Sequence, residues 1–134
     1  MITFSDAVIN DRLQALTRAL DAKSKPGKLL IYAGNAPTAG AITSETLLCE
    51  LTFQKVSAGN FNNKTLVINN PSPTIALANG IATWARIQDG DGVWVADCSA
   101  GAQGSNTVVQ IQNSTGDLYA GGNVSVVMAQ IKEV

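Results

Sequence analysis

The sequence predicts a mainly β fold, an antiparallel β-sandwich of jelly-roll-like type with one N-terminal amphipathic α-helix. Three observations predict it. Apolar residues recur with helical spacing only near the amino end. After Pro26 the chain breaks into short apolar or alternating runs separated by Gly, Asn, Asp and Ser turns. No internal repeat and no linker divides the 134 residues, so residues 1–134 read as a single domain, helix 5–23 followed by β-sandwich 28–132.

In the helix, Ile9, Leu13, Leu16 and Leu20 fall at i, i+4, i+7 and i+11 and make one apolar stripe, away from Asp11, Arg12, Gln14 and Arg18. Ser5 can cap the amino end, with Thr3 and Asp6 as an alternative start. Lys23 and Lys25 suit the negative end of the dipole, and Pro26-Gly27 stops the helix. The ordinary role of such a stripe is packing on its own domain; the alternative is contact with a neighbouring subunit.

The first strand is residues 28–33 (KLLIYA), leading into a small-residue loop at 34–43. The second is residues 46–54, where Leu47, Cys49, Leu51 and Phe53 share one face. Asn60, Asn62, Asn63 and Lys64 mark a turn before a short strand at 65–68. Asn69-Asn70-Pro71-Ser72-Pro73 cannot continue a central strand, because proline donates no ladder hydrogen bond. Residues 81–88, 93–97, 107–112 and 123–132 complete about seven strands. Asp89-Gly90-Asp91-Gly92 joins two of them as a hairpin, since Asp and Gly tolerate the positive φ of a tight turn. With Gly90-Asp91 as its loop, Gln88 opposes Val93, Arg86 opposes Val95 and Trp84 opposes Asp97. Trp84, Arg86, Val95 and Asp97 then share one face, opposite Ala85, Ile87, Trp94 and Ala96. Arg86 and Asp97 become diagonal neighbours close enough for an ion pair.

Composition narrows function. Charged residues are 14% of the chain, against about 25% in an average soluble domain. The difference is made up by 11 Asn, 11 Thr, 9 Ser, 7 Gln and 12 Gly. A net charge of −1 carries no electrostatic footprint for a nucleic-acid backbone, so no nucleic-acid partner is expected. The absence of histidine removes every site built on imidazole. The first residues lack a basic segment and a long apolar run, so neither a signal peptide nor a membrane partner is expected.

The candidate chemical constellations are weak. Cys49 and Cys98 lack C-x-x-C spacing; Cys49 reads as a buried hydrophobe, and Cys98, without a basic neighbour, is read as buried rather than reactive. Asp89, Asp91 and Asp97 could hold a cation weakly, but Val93-Trp94-Val95 follows where a calcium loop needs further oxygen ligands. Gly101-Ala102-Gln103-Gly104-Ser105 lacks the lysine and helix of a phosphate cradle. Ser99 and Ser105 have no base to activate them, and Glu45 and Glu50 are the only glutamates before Glu133. The sequons at Asn63, Asn113 and Asn123 read as polar loops. No catalytic, cofactor-binding or metal-ligating residue is assigned, and no enzyme activity or cofactor is expected. Tyr32, Phe61, Trp84, Trp94 and Tyr119 could form the stacking platform of a glycan-binding module, although the expected register puts the two tryptophans on opposite faces.

A helix over residues 7–22 runs into Pro26-Gly27-Lys28-Leu29-Leu30-Ile31-Tyr32-Ala33-Gly34-Asn35-Ala36-Pro37. Leu47-Leu48-Cys49-Glu50-Leu51-Thr52-Phe53 follows, then Ala82-Thr83-Trp84-Ala85-Arg86-Ile87-Gln88-Asp89-Gly90-Asp91-Gly92, then a terminal strand after Gly121-Gly122. This layout resembles a group of small structural (virion) proteins of tailed bacteriophages and prophages, over nearly the whole chain and through turns and strands rather than a chemical signature. The resemblance implies a virion component made in the cytoplasm of the bacterial host. The leading expectation is a capsid decoration or cement protein bound to the major capsid protein, as a dimer or trimer. A tail or head–tail connector component is the alternative. The helix edge, the loop at 34–43 and the segment at 69–73 are the expected contact regions.

Overall fold

The computed structural model describes residues 2–55, 57–62 and 65–132, and for residues 58–62 and 132 the backbone alone. Among these residues it is mainly β with one helix. Helix α1 spans Asp6–Asp21, with Ser5 as N-cap accepting a hydrogen bond from the Val8 amide at 3.3 Å. It ends two residues before the expected 23. The Asp21 carboxylate turns to accept from the Ser57 amide, and Lys55 Nζ takes the freed carbonyl of Lys23 at 2.5 Å. Ile9, Leu13 and Leu20 are buried in the main core and Leu16 is partly buried against it, so the stripe packs on its own domain. Thr17 is buried beside them, its hydroxyl satisfied by the Gln14 carbonyl at 2.9 Å.

Among the described residues twelve strands follow: β1 Lys28–Tyr32, β2 Leu47–Thr52, β3 Ala58–Asn62, β4 Thr65–Ile68, β5 Thr74–Ile75, β6 Gly80–Ile81, β7 Trp84–Gln88, β8 Trp94–Ala102, β9 Val109–Ile111, β10 Asp117–Leu118, β11 Asn123–Val124 and β12 Val126–Lys132. Eight of them form one sheet in the order β2-β1-β7-β8-β9-β12-β4-β3, and β10-β6 and β11-β5 pair separately. One cluster gathers Leu29, Ile31, Cys49, Leu51 and Ile87 from one half of this sheet and Leu66, Ile68, Val109, Ile111 and Val126 from the other. The sheet therefore curls around a single core. Among the described residues no helix is long and apolar enough to cross a membrane.

Several expectations need correction. The sheet is mixed, not wholly antiparallel: β8 and β9 run parallel, Ala100 beside Val109 and Ala102 beside Ile111. Residues 103–108 return the chain over this short distance because flanking side chains satisfy their backbone locally. Gly104 N donates to Gln110 Oε1, Gln110 Nε2 to the Ser105 carbonyl, and Val108 N to Ser99 Oγ. Asn60 and Asn62, read as part of a turn, lie instead in β3, which pairs with β4, while Asn63 and Lys64 lie outside the described residues. The strand expected at 81–88 divides, because Gly80–Ile81 pairs with β10 whereas Trp84–Gln88 pairs with β1 and β8. The strand expected at 123–132 divides at Ser125 for the same reason, β11 pairing with β5. Leu47 leaves the face of Cys49, Leu51 and Phe53, since an irregularity between Ile31 and Tyr32 sets it opposite Tyr32. It joins Leu30, Tyr32 and Trp84 in a small second cluster on the other side of the sheet.

Candidate functional site

The side of the sheet turned away from the main core carries the most elaborate polar arrangement in the molecule. β7 and β8 pair with Arg86 directly opposite Asp97 and Trp84 opposite Ser99, two residues from the register expected for the hairpin. The cause lies in the turn. Asp89 Oδ1 accepts from the amides of Asp91 at 2.9 Å and Val93 at 3.0 Å, while Asp89 N donates to the Val93 carbonyl at 3.0 Å. Gln88 then pairs with Trp94 and Ile87 with Ala96, which leaves Val95 as the extra residue of a bulge. The bulge moves Trp94 to the face of Trp84, Arg86 and Asp97.

Asp97 is the hub of that face. Its Oδ1 accepts from Arg86 Nε at 2.8 Å and from Trp94 Nε1 at 3.1 Å. Its Oδ2 accepts from Arg86 Nη2 at 3.2 Å and from Gly40 N at 3.1 Å. Arg86 and Asp97 side chains are only 9% and 12% exposed. The guanidinium lies 5.3 Å from the Trp84 ring centroid, and the Tyr32 ring stacks on Trp84 at 4.5 Å. Burial pushes the Asp97 carboxyl up, but the hydrogen bonds from Arg86, Gly40 and Trp94 and the guanidinium charge outweigh it and hold it below its usual pKa. Hydrogen bonding to Asp97 raises Arg86, against the opposing effect of its own burial.

The hub straps down the loop at 34–43. Gly40, at φ +75°, lies so close over the Trp94 ring that a Cβ there would meet it at 3.0 Å. At the loop's start, Thr83 Oγ1 donates to the Gly34 carbonyl at 2.7 Å; at its end, Thr43 Oγ1 accepts locally from Glu45 N at 3.1 Å. Ile42, beside these anchors, is 98% exposed. Between the loop and the sheet lies an open cleft of about 390 Å³, lined by Gly34, Asn35 and Ala36 on one side and Thr83, Trp84 and Ser99 on the other, with Asp97 and Cys98. The acid in it is already neutralised by Arg86, and the arrangement holds the loop in place.

The other candidates do not converge on it. Asp89 is spent on its own turn, Asp91 faces Lys23 at 3.6 Å, and Asp97 is paired with Arg86, so the three aspartates are separately engaged. Glu50 pairs with Lys28 at 3.0 Å, and Glu45 lies against Gly34. Ser105 bonds the Ala102 carbonyl and Thr107 within the β8–β9 return. Gly101 and Ala102, read as loop, belong to β8. Asn113 organises a turn through Thr115 and Gly116, Asn123 is an exposed strand residue, and Asn63 lies outside the described residues. Of the aromatic platform, Tyr32 and Trp84 cover each other and are 9% and 3% exposed, while Trp94 and Tyr119 are exposed at 43% and 66%. The Phe61 side chain lies outside the described residues. The segment at 69–73 is tied down along β2, Pro71 buried, with Ser72 N donating to the Thr52 carbonyl at 3.0 Å. Gly40 was not singled out by the sequence; its only signal was a glycine within a small-residue loop, which names no partner.

Burial pushes both thiols to about 12, Cys98 with a further contribution from the Asp97 charge. Thiolate is then scarce at neutral pH. Thiol-reactive dyes at pH 8 are expected to label neither cysteine in the folded protein and both after denaturation. Rapid labelling of native protein would contradict this.

No family model, no curated protein and no solved structure matches the chain.

Proposed function

We propose that this chain is a structural protein of a tailed-bacteriophage virion, a decoration or cement subunit that binds the assembled head and stabilises it. The observation that carries the reading is the loop at 34–43. It is free of charged residues, presents Ile42 at 98% exposure, and is held in place by the buried Arg86–Asp97 pair. A loop ordered before binding loses little conformational freedom on docking, which suits a subunit that repeats one contact over a lattice. Depletion of charge is characteristic of interface centres. In this reading the curled sheet serves as the sandwich- or jelly-roll-like body behind the loop, and the major capsid protein is the partner. The chain is made in the host cytoplasm and carried in the virion. Stabilisation works by mass action: many copies bind the assembled shell and not its dissociated subunits, so occupancy shifts the equilibrium toward the shell.

Quantitative mass spectrometry of purified particles tests this. Hundreds of copies per particle are expected, retained in washes from low to physiological salt because the contact depends weakly on charge. A handful of copies would assign the chain to a tail or head–tail connector, and steep loss with salt would refute the neutral contact.

A further inference from the structure

The segments 74–81 and 117–124 lie antiparallel and form an irregular ribbon. Thr74 pairs with Val124, Ile75 with Asn123, Gly80 with Leu118 and Ile81 with Asp117. Between these pairs Ala76 N donates to the Gly122 carbonyl at 2.8 Å, Gly121 N to the Ala76 carbonyl at 2.9 Å, and Ala120 N to Asn79 Oδ1 at 2.8 Å. Leu77 N donates to the Leu48 carbonyl at 2.7 Å and fastens the ribbon to β2. The ribbon is thus fully built before anything binds it.

Its outer face is mostly apolar, with Asn123 opposite Ile75 and Asp117 opposite Ile81 at its two ends. Ile75, Leu77 and Ile81 are 54%, 63% and 56% exposed, alternating with Ala76 at 3%. Leu118, opposite Gly80, turns inward at 5%, so Tyr119 turns outward on the side of Ile81, at 66%. Taking on the order of 170 Å² for a large side chain, these fractional exposures leave about 400 Å² of apolar surface open. Residues 65–85 contain no Asp, Glu, Lys or Arg, and residues 98–131 contain only Asp117.

We propose that this face pairs with the same face of a second copy of the chain about a two-fold axis. A two-fold contact sets each residue against its own kind or its neighbours, so a highly charged face would repel itself, and this one carries a single carboxylate, Asp117, at its Ile81 end. The area also fits. A standard interface covers about 800 Å² per partner, of which roughly 65% is apolar in homodimers, close to 500 Å². The four side chains supply most of that, and Ala120, Gly121 and Gly122, all exposed, can extend it. The pairing uses residues outside the loop at 34–43 and is decided in free solution, independently of any shell.

Sedimentation equilibrium of the full chain is expected to show a dimer of the 13.9 kDa protomer, dissociating at about 1 µM, the weak end for contacts of this size. Leu77→Glu is expected to raise the dissociation constant at least tenfold, with Ile75→Ser as a milder second variant and tryptophan fluorescence reporting that each is folded. Ile42→Glu, on the loop, should leave the dimer unchanged while abolishing particle binding. A monomer at all concentrations, any other stoichiometry, or a dimer indifferent to Leu77→Glu and Ile75→Ser would overturn the proposal.

Discussion

Asp97→Ala is expected to destabilise the fold by about 3 kcal/mol, the lower end of the range for removing one partner of a buried ion pair. The lower end applies because Asp97 lines an open cleft, from which water can enter the space the carboxylate leaves. The substitution removes four hydrogen bonds and leaves Arg86 uncompensated, with its side chain 9% exposed. In urea the midpoint should fall at unchanged m, with melting about 10 °C lower for a chain of this length. Arg86→Ala leaves the carboxylate stranded and should cost a similar amount. The double variant should then lose clearly less than the sum, by about 2 kcal/mol. The pH dependence has a definite sign. The Asp97 carboxyl is held below its usual value, so its contribution is complete above about pH 4, the unfolded value, and is lost as pH falls through the lower folded value. Asp97→Asn should lack that acid-sensitive component. Additive single losses, or identical acid profiles for wild type and Asp97→Asn, would show that the two side chains do not act as a pair.

The ion pair also marks where reading the chain succeeds and where it stops. Alternation along β7 and β8 is enough to bring Arg86 and Asp97 to one face, because side-chain direction has a period of two residues. The register is not, since Asp89 folds its side chain back onto the turn and displaces one residue, Val95, into a bulge. That displacement carries Trp94 to the hub and makes Gly40 its fourth donor. The helix stripe and the shared face of Cys49, Leu51 and Phe53 are legible because burial over several turns or pleats repeats the same pattern, whereas the irregularity between Ile31 and Tyr32 takes Leu47 off that face. The parallel pairing of β8 with β9 is not, because it depends on Gln110, Ser99 and Ser105 bonding a short return that has no periodicity. The ribbon is hidden for a related reason: its four strands are two residues each, too short for alternation to register.

The two glycines of Asp89-Gly90-Asp91-Gly92 should differ sharply when replaced by alanine, although both stand in the same turn motif. Gly92 adopts φ +82° with open space where a Cβ would go, so Gly92→Ala costs only the left-handed backbone strain, about 1 kcal/mol. At Gly90 a Cβ would come within 2.1 Å of the Lys25 carbonyl oxygen and 2.7 Å of its carbon. Those are backbone atoms, held by the neighbouring residues of the same linker. A Cβ on Gly27 would meet the Leu20 side chain at 2.7 Å and the Gln88 carbonyl at 2.9 Å, and the Gly27 carbonyl accepts from Phe53 N at 2.9 Å. The linker after α1 is therefore clamped between the helix end, β2 and the β7–β8 turn, and cannot withdraw from a methyl group without moving all three. Gly90→Ala is expected to cost about 3 kcal/mol, the upper end for overpacking. It should also loosen the Lys23–Asp91 pair and the carboxyl end of α1, seen as faster amide exchange at residues 18–21. Urea denaturation of the two variants side by side measures the difference. Equal losses at both positions would mean that the turn is governed by backbone conformation alone and that the helix is not clamped by the hairpin.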